Sequence, residues 1–87
     1  MAIKFPNIES MDERRMVVLF PADQDNKHIN CAISTQALED NFNGNNVPAL
    51  DCFRSNRGFI EVKADRLIEN GRLEPDGSIL IRSRDGP

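Results

Sequence analysis

Tryptophan and tyrosine are absent from this chain of 87 residues, histidine occurs once and cysteine twice. Without Trp or Tyr the chain lacks two of the anchors that most often dominate protein interfaces, so any contact surface has to come from phenylalanine and aliphatic side chains. His28 is the lone side chain whose unperturbed titration lies near neutrality, and with no His, Cys or acid at ligand spacing it reads as a solvated strand residue, with no metal site expected. Cys31 and Cys52 show no C-x-x-C spacing, which argues against a secreted disulfide scaffold and for reduced thiols in a reducing compartment. No segment approaches the roughly 20 apolar residues that cross a bilayer, and Met1–Ser10 holds no apolar run of signal-peptide length, so the expected location is cytoplasmic with no membrane partner. A Gly-rich phosphate loop, G-x-S-x-G and H-E-x-x-H are all missing, which removes the enzyme classes that short motifs reveal and gives no reason to expect a cofactor.

The residues present are those of an ordinary globular domain. Hydrophobic residues make up 39 % and charged residues 29 %, enough at this length to bury roughly 60–70 % of the unfolded surface in one two-layer core, but not to enclose a large cofactor cavity. A net charge of -3 with both signs interspersed provides no basic field for phosphates, which argues against nucleic acid as a partner. A nucleic-acid regulator would need Arg14, Arg15, Arg54 and Arg82 to converge on one face.

Residues Ile3–Phe5 alternate and stop at Pro6, which predicts a short edge strand; Asn7–Arg14 is polar and turn-like. Arg15–Ala22 is a β-rich run ended by Pro21 and predicts a buried or central strand. The turn formers Asp23–Lys27 join it as a hairpin to the strand from His28 to Ile33, with Ile29, Cys31 and Ile33 on one face. Ser34 is placed to N-cap a short helix over Thr35–Phe42, and Asn43–Asn46 separates it from the next element. Across Ala49–Asn70, Leu50, Phe53, Ile60, Ala64 and Leu67 follow the spacing of one long amphipathic helix, started near Pro48 and closed at Gly71. Arg72–Glu74, the turn Pro75–Gly77 and Ser78–Ser83 predict a closing hairpin that contributes one or two strands, and Arg84–Pro87 should fray. The expectation is a single α+β domain over 1–87, a two-layer sandwich of an antiparallel sheet of about four to five strands. One short and one long helix lie on one face, in the order β-β-β-α-α-β-β.

Candidate residues gather on the long helix. Arg57 falls on its inward stripe, where an unpaired charge costs several kcal/mol, so pairing with Glu61 one turn on, or with acceptors of another element, is required. It ties helix to sheet or, alternatively, holds an anionic ligand. Phe59 and Val62 point away from the stripe, with Cys52 and Arg66 on the same side, which suggests a contact surface; a break at Ser55–Gly58 would instead turn Phe59 inward. Cys52, near a helix start, is the better thiol candidate, and Cys31 reads as a small hydrophobe. Glu61, Asp65 and Glu69 form an acidic flank relieved by Lys63 and Arg66, without the histidine that helical di-metal sites use.

Taken in order, V-x-x-F-P-A at Val17–Ala22, C-x-I-S at Cys31–Ser34 and Q-A-L-E-D at Gln36–Asp40 make up the first half of a recognisable series. F-x-x-x-R-x-x-I-E at Phe53–Glu61, A-x-x-L-I-E-x-G at Ala64–Gly71 and D-G-S-I-L-I at Asp76–Ile81 complete it. The series resembles the small bacterial family called domain of unknown function 1488. The resemblance implies a compact α+β domain with helices on one face of an antiparallel sheet, in a bacterial cytoplasmic protein, with Arg57, Glu61 and Cys31 at family-pattern positions; it implies no activity. The reading therefore leans away from an enzyme and toward a binding or interaction module with an unknown protein partner or a second copy. The alternatives are a small anion binder or enzyme centred on Arg57, and a nucleic-acid-associated regulator.

Overall fold

The computed structural model describes residues 3–86. Strands β1 (Ser10–Asp12), β2 (Val17–Gln24) and β3 (Lys27–Ser34) form an antiparallel meander; helices α1 (Thr35–Asn41), α2 (Ala49–Ser55) and α3 (Arg57–Glu69) follow, then β4 (Ile79–Ile81) and a 3-10 turn at Ser83–Asp85. The sheet runs β1-β2-β3-β4 and is antiparallel except that β4 lies parallel to β3. The α+β class and the placement of helices on one face are as the sequence indicates.

The β2–β3 turn is made by Asp25 and Asn26, both at positive φ, the two-residue geometry that matches strand twist. It sets a register in which the inward side chains are Val18, Phe20 and Ala22 from β2, with Cys31 and Ile33 from β3. Ile79 and Ile81 of β4 join this face, and Leu38, Phe53 and Ile60 close over it from the helices. Rings of Phe20 and Phe53 meet across the two layers with centroids 5.1 Å apart. Ser34 caps α1 by accepting from the Ala37 amide at 3.0 Å.

Several elements depart from the sequence pattern. The strand expected at Ile3–Phe5 is reduced to one bridge between Lys4 and Asp23, and the stretch read as turn, Asn7–Arg14, contains β1. Strand β2 runs through Pro21 to Gln24. The Asp23 amide donates to Lys4 on the β1 side; by two-residue alternation Pro21's missing donor faces the same way, where β1 has already ended, so no ladder bond is lost. The closing hairpin is absent: Glu74 and Ser78 are linked across a turn by one backbone bond, and only Ile79–Ile81 enters the sheet, alongside β3. The order is therefore β-β-β-α-α-α-β. Arg84 and Asp85, expected to fray, belong to the 3-10 turn, where the Asp85 carboxylate accepts from the Arg82 amide at 2.7 Å; Met1, Ala2 and Pro87 lie outside the described residues.

The long helix is also divided. Asn56 leaves helical geometry (φ −117°, ψ 16°) between α2 and α3. Its backbone N–H is shared between the carbonyls of Cys52 and Phe53, and its side-chain amide donates to the Cys52 carbonyl at 2.9 Å. The side chain thus recovers an acceptor that the interruption weakens.

Candidate functional site

The break brings Arg57 to the first position of α3, where the guanidinium reaches back to the segment before β1. Nε donates to Glu61 at 2.9 Å, Nη1 to Glu9, and Nη2 to the carbonyls of Pro6 at 2.8 Å and Ile8 at 3.3 Å. The cation also lies 5.1 Å from the centre of the Phe53 ring. All but one of its N–H donors are consumed, and only 18 % of the side chain is exposed. Arg54 binds the other oxygen of Glu9 at 2.9 Å, so one carboxylate bridges two arginines and is held below its ordinary pKa by hydrogen bonds first to Arg54 and then to Arg57. Glu61 was visible from its place one turn beyond Arg57; Glu9 was not, because 48 residues separate it from its partner. Two clefts, of about 350 and 240 Å³, are lined by neither Arg57, Glu61 nor Glu9; Ile8 alone of the groups around Arg57 reaches the larger one.

Phe59 and Val62 lie on the opposite side of α3, 74 % and 53 % exposed, while Ile60 and Ala64 anchor the helix in the core. The helix does break within Ser55–Gly58, yet Phe59 stays outside, because only Asn56 leaves helical geometry before α3 resumes. Cys52 does not share this face. It is 3 % exposed, its Sγ 3.5 Å from the Phe42 carbonyl, and burial pushes the thiol's pKa up. The electropositive environment that favours a reactive thiolate is missing, and the sequence expectation that Cys52 sits beside Phe59 is corrected: Cys52 belongs to α2, which packs its own buried face of Cys52 and Phe53. Cys31 is equally buried, its pKa raised to about 12 by desolvation.

The other candidates separate in space. His28 faces Asp23 across the β2–β3 pair with Nδ1 3.1 Å from the carboxylate, both well exposed. Among the described residues no group of three or more His, Cys, Asp or Glu is disposed to hold a metal ion. Of the arginines that a nucleic-acid surface would need together, Arg54 is tied to Glu9 and Asp51, Arg82 to Glu74, and Arg15 lines a cleft on the sheet. No described helix is long and apolar enough to cross a membrane.

A family model described as "Protein of unknown function (DUF1488)" matches residues 3–81. The chain is 36 % identical over 81 residues to the uncharacterized protein YrdB of Shigella flexneri, covering 92 % of this chain and 95 % of that one. With YrdB of Escherichia coli strain K12 the identity is 35 % over the same shares. The crystal structure of a protein of unknown function from the DUF1488 family of Shewanella loihica PV-4 superposes with a TM-score of 0.83 at 28 % identity, covering 91 % of this chain and 90 % of that one.

Proposed function

The chain belongs to the DUF1488 family, for which no activity is described, and on that premise we propose that it is a non-enzymatic interaction module whose α3 outer face binds a second copy of itself. The observation that carries this reading is the exposure of Phe59, the most exposed of the large apolar side chains among the described residues, with Val62 beside it on a helix fixed from behind. Groups that would favour an enzyme or an anion site are committed elsewhere: Arg57 to four acceptors, both thiols to the core.

Charge supports a self-contact and gives it a direction. At 100° per residue, Val62 and Arg66 centre the outer face, with Phe59 and Lys63 on one side and Asp65 and Glu69 on the other. A twofold axis parallel to the helix sets the basic side of one copy against the acidic side of the other; a perpendicular axis sets like against like. The parallel arrangement is the favoured one. Sedimentation of the full chain up to about 1 mM should show a concentration-dependent dimer weakened by salt, and Phe59→Asp should abolish it while leaving the circular dichroism unchanged. A wild-type chain that stays monomeric throughout, or an F59D variant that still dimerises, refutes the reading.

A further inference from the structure

The face of the sheet away from the helices carries the larger cleft, about 350 Å³, within the range of small-molecule sites. Its floor follows from the register: Leu19 pairs with Ala32, and Pro21 with Asn30, so Leu19, Pro21 and Ala32 give an apolar base. Three separate segments supply the rim: Arg15 from the β1–β2 turn, Ser10 from β1, and Asp76 with Ser78 from the turn before β4. Asp76 is fixed in place, accepting from the Ser78 hydroxyl at 2.6 Å and the Ser78 amide at 2.9 Å. Those bonds, with Arg15 nearby, keep its carboxyl below the usual range, hence ionised at neutral pH. Arg15 and Asp76 share the cleft and feel each other's charge, but they do not form an ion pair; among the described residues the Arg15 guanidinium forms no ion pair at all.

The geometry points to a binding site for a free α-amino acid with an apolar side chain, its carboxylate on Arg15, its ammonium on Asp76 and its side chain over Leu19, Pro21 and Ala32. A purely anionic ligand would leave Asp76 facing like charge, and a purely cationic one would face Arg15; a zwitterion satisfies both at once. The floor favours side chains rich in hydrocarbon, which Leu19, Pro21 and Ala32 bury, although Asn30 and Ser10 stand beside it as polar groups.

Amide-resolved NMR titration of the full chain tests this with leucine, N-acetyl-leucine and leucinamide as probes. Leucine should shift the amides of Arg15, Ala32 and Ser78 with millimolar affinity. The acetylated and amidated forms, each missing one charge, should bind at least about tenfold more weakly. Arg15→Met should reduce leucine binding to the level of leucinamide, and Asp76→Asn, which keeps the acceptor for Ser78, to that of N-acetyl-leucine. Absence of shifts at these amides, equal binding of all three probes, or leucine binding unaltered by either substitution overturns the assignment. Phe59 lies on another surface, so the F59D dimerisation result and this one fail independently.

Discussion

At Arg57 a cation has been moved largely out of water and given four acceptors, two of them main-chain carbonyls of a segment with little regular structure of its own. Burial of this kind is tolerated only when each donor finds a partner, so Arg57 fixes Pro6–Glu9 as much as those residues fix it. Glu9 carries the pH dependence of this contact. Its carboxyl is held below the ordinary 4.5 in the folded protein, so its contribution to stability is full above that value and is lost as pH falls through the lower, folded-state value. Wild type should therefore exceed Glu9→Gln in urea midpoint at about pH 7 and pH 5, with the gap closing toward about pH 3; a gap that stays constant with pH would show that the charge is not what Glu9 supplies. The Arg57 contact with Glu61 could be read from helical spacing, because one turn is a local relation. The contact with Glu9 could not, because it depends on where the chain before β1 is laid over α2 and α3, and no local pattern encodes that.

Helices α2 and α3 show how far periodicity reaches. Leu50, Phe53, Ile60, Ala64 and Leu67 do face inward, yet the same spacing is compatible with an interruption, and it concealed that Cys52 turns into the core of α2. The cause is Asn56, whose side chain competes for the Cys52 carbonyl; Asn, Ser and Gly together mark such a place without locating it to a residue. Gly58 then has no steric duty, since a Cβ there would meet nothing within 4 Å and its φ is not positive. Gly58→Ala should stabilise by about 0.5 kcal/mol, raising Tm by roughly 2–4 °C. Gly44 is the opposite case: a Cβ there would lie 2.9 Å from the Leu38 carbonyl oxygen and 3.1 Å from the Cys52 Sγ. Gly44→Ala should destabilise by about 1–3 kcal/mol, because backbone and a buried thiol are what would have to yield. Thermal melts of the two variants beside wild type should move in opposite directions; movement in the same direction would refute the assignment of these two glycines.

Across the whole molecule, the β2–β3 hairpin was legible, while β1, which lies in a polar stretch without strand alternation, and the closing strand were not; alternation shows that Ile79 and Ile81 share a face but not which neighbour or direction they adopt. Bringing β4 beside β3 places both chain ends on the sheet's account: the last strand borders β3, while the segment before β1 returns to β2 through Lys4 and Asp23 at 2.9 and 2.8 Å. That segment also packs Phe5 on Phe20, with centroids 6.3 Å apart, and supplies three of the four acceptors of Arg57. Deleting residues 1–9 therefore has two separable effects, lost packing and an arginine left short of partners in a half-desolvated place. Substituting Arg57→Met beforehand removes the second effect but not the first. The deletion should lower Tm in both backgrounds, and by about 4–8 °C less in the Arg57→Met background than in wild type. Equal losses in the two backgrounds would mean that the segment acts through Phe5 and the Lys4 bridge alone, and that the arginine contacts do not couple the first residues of the chain to α3.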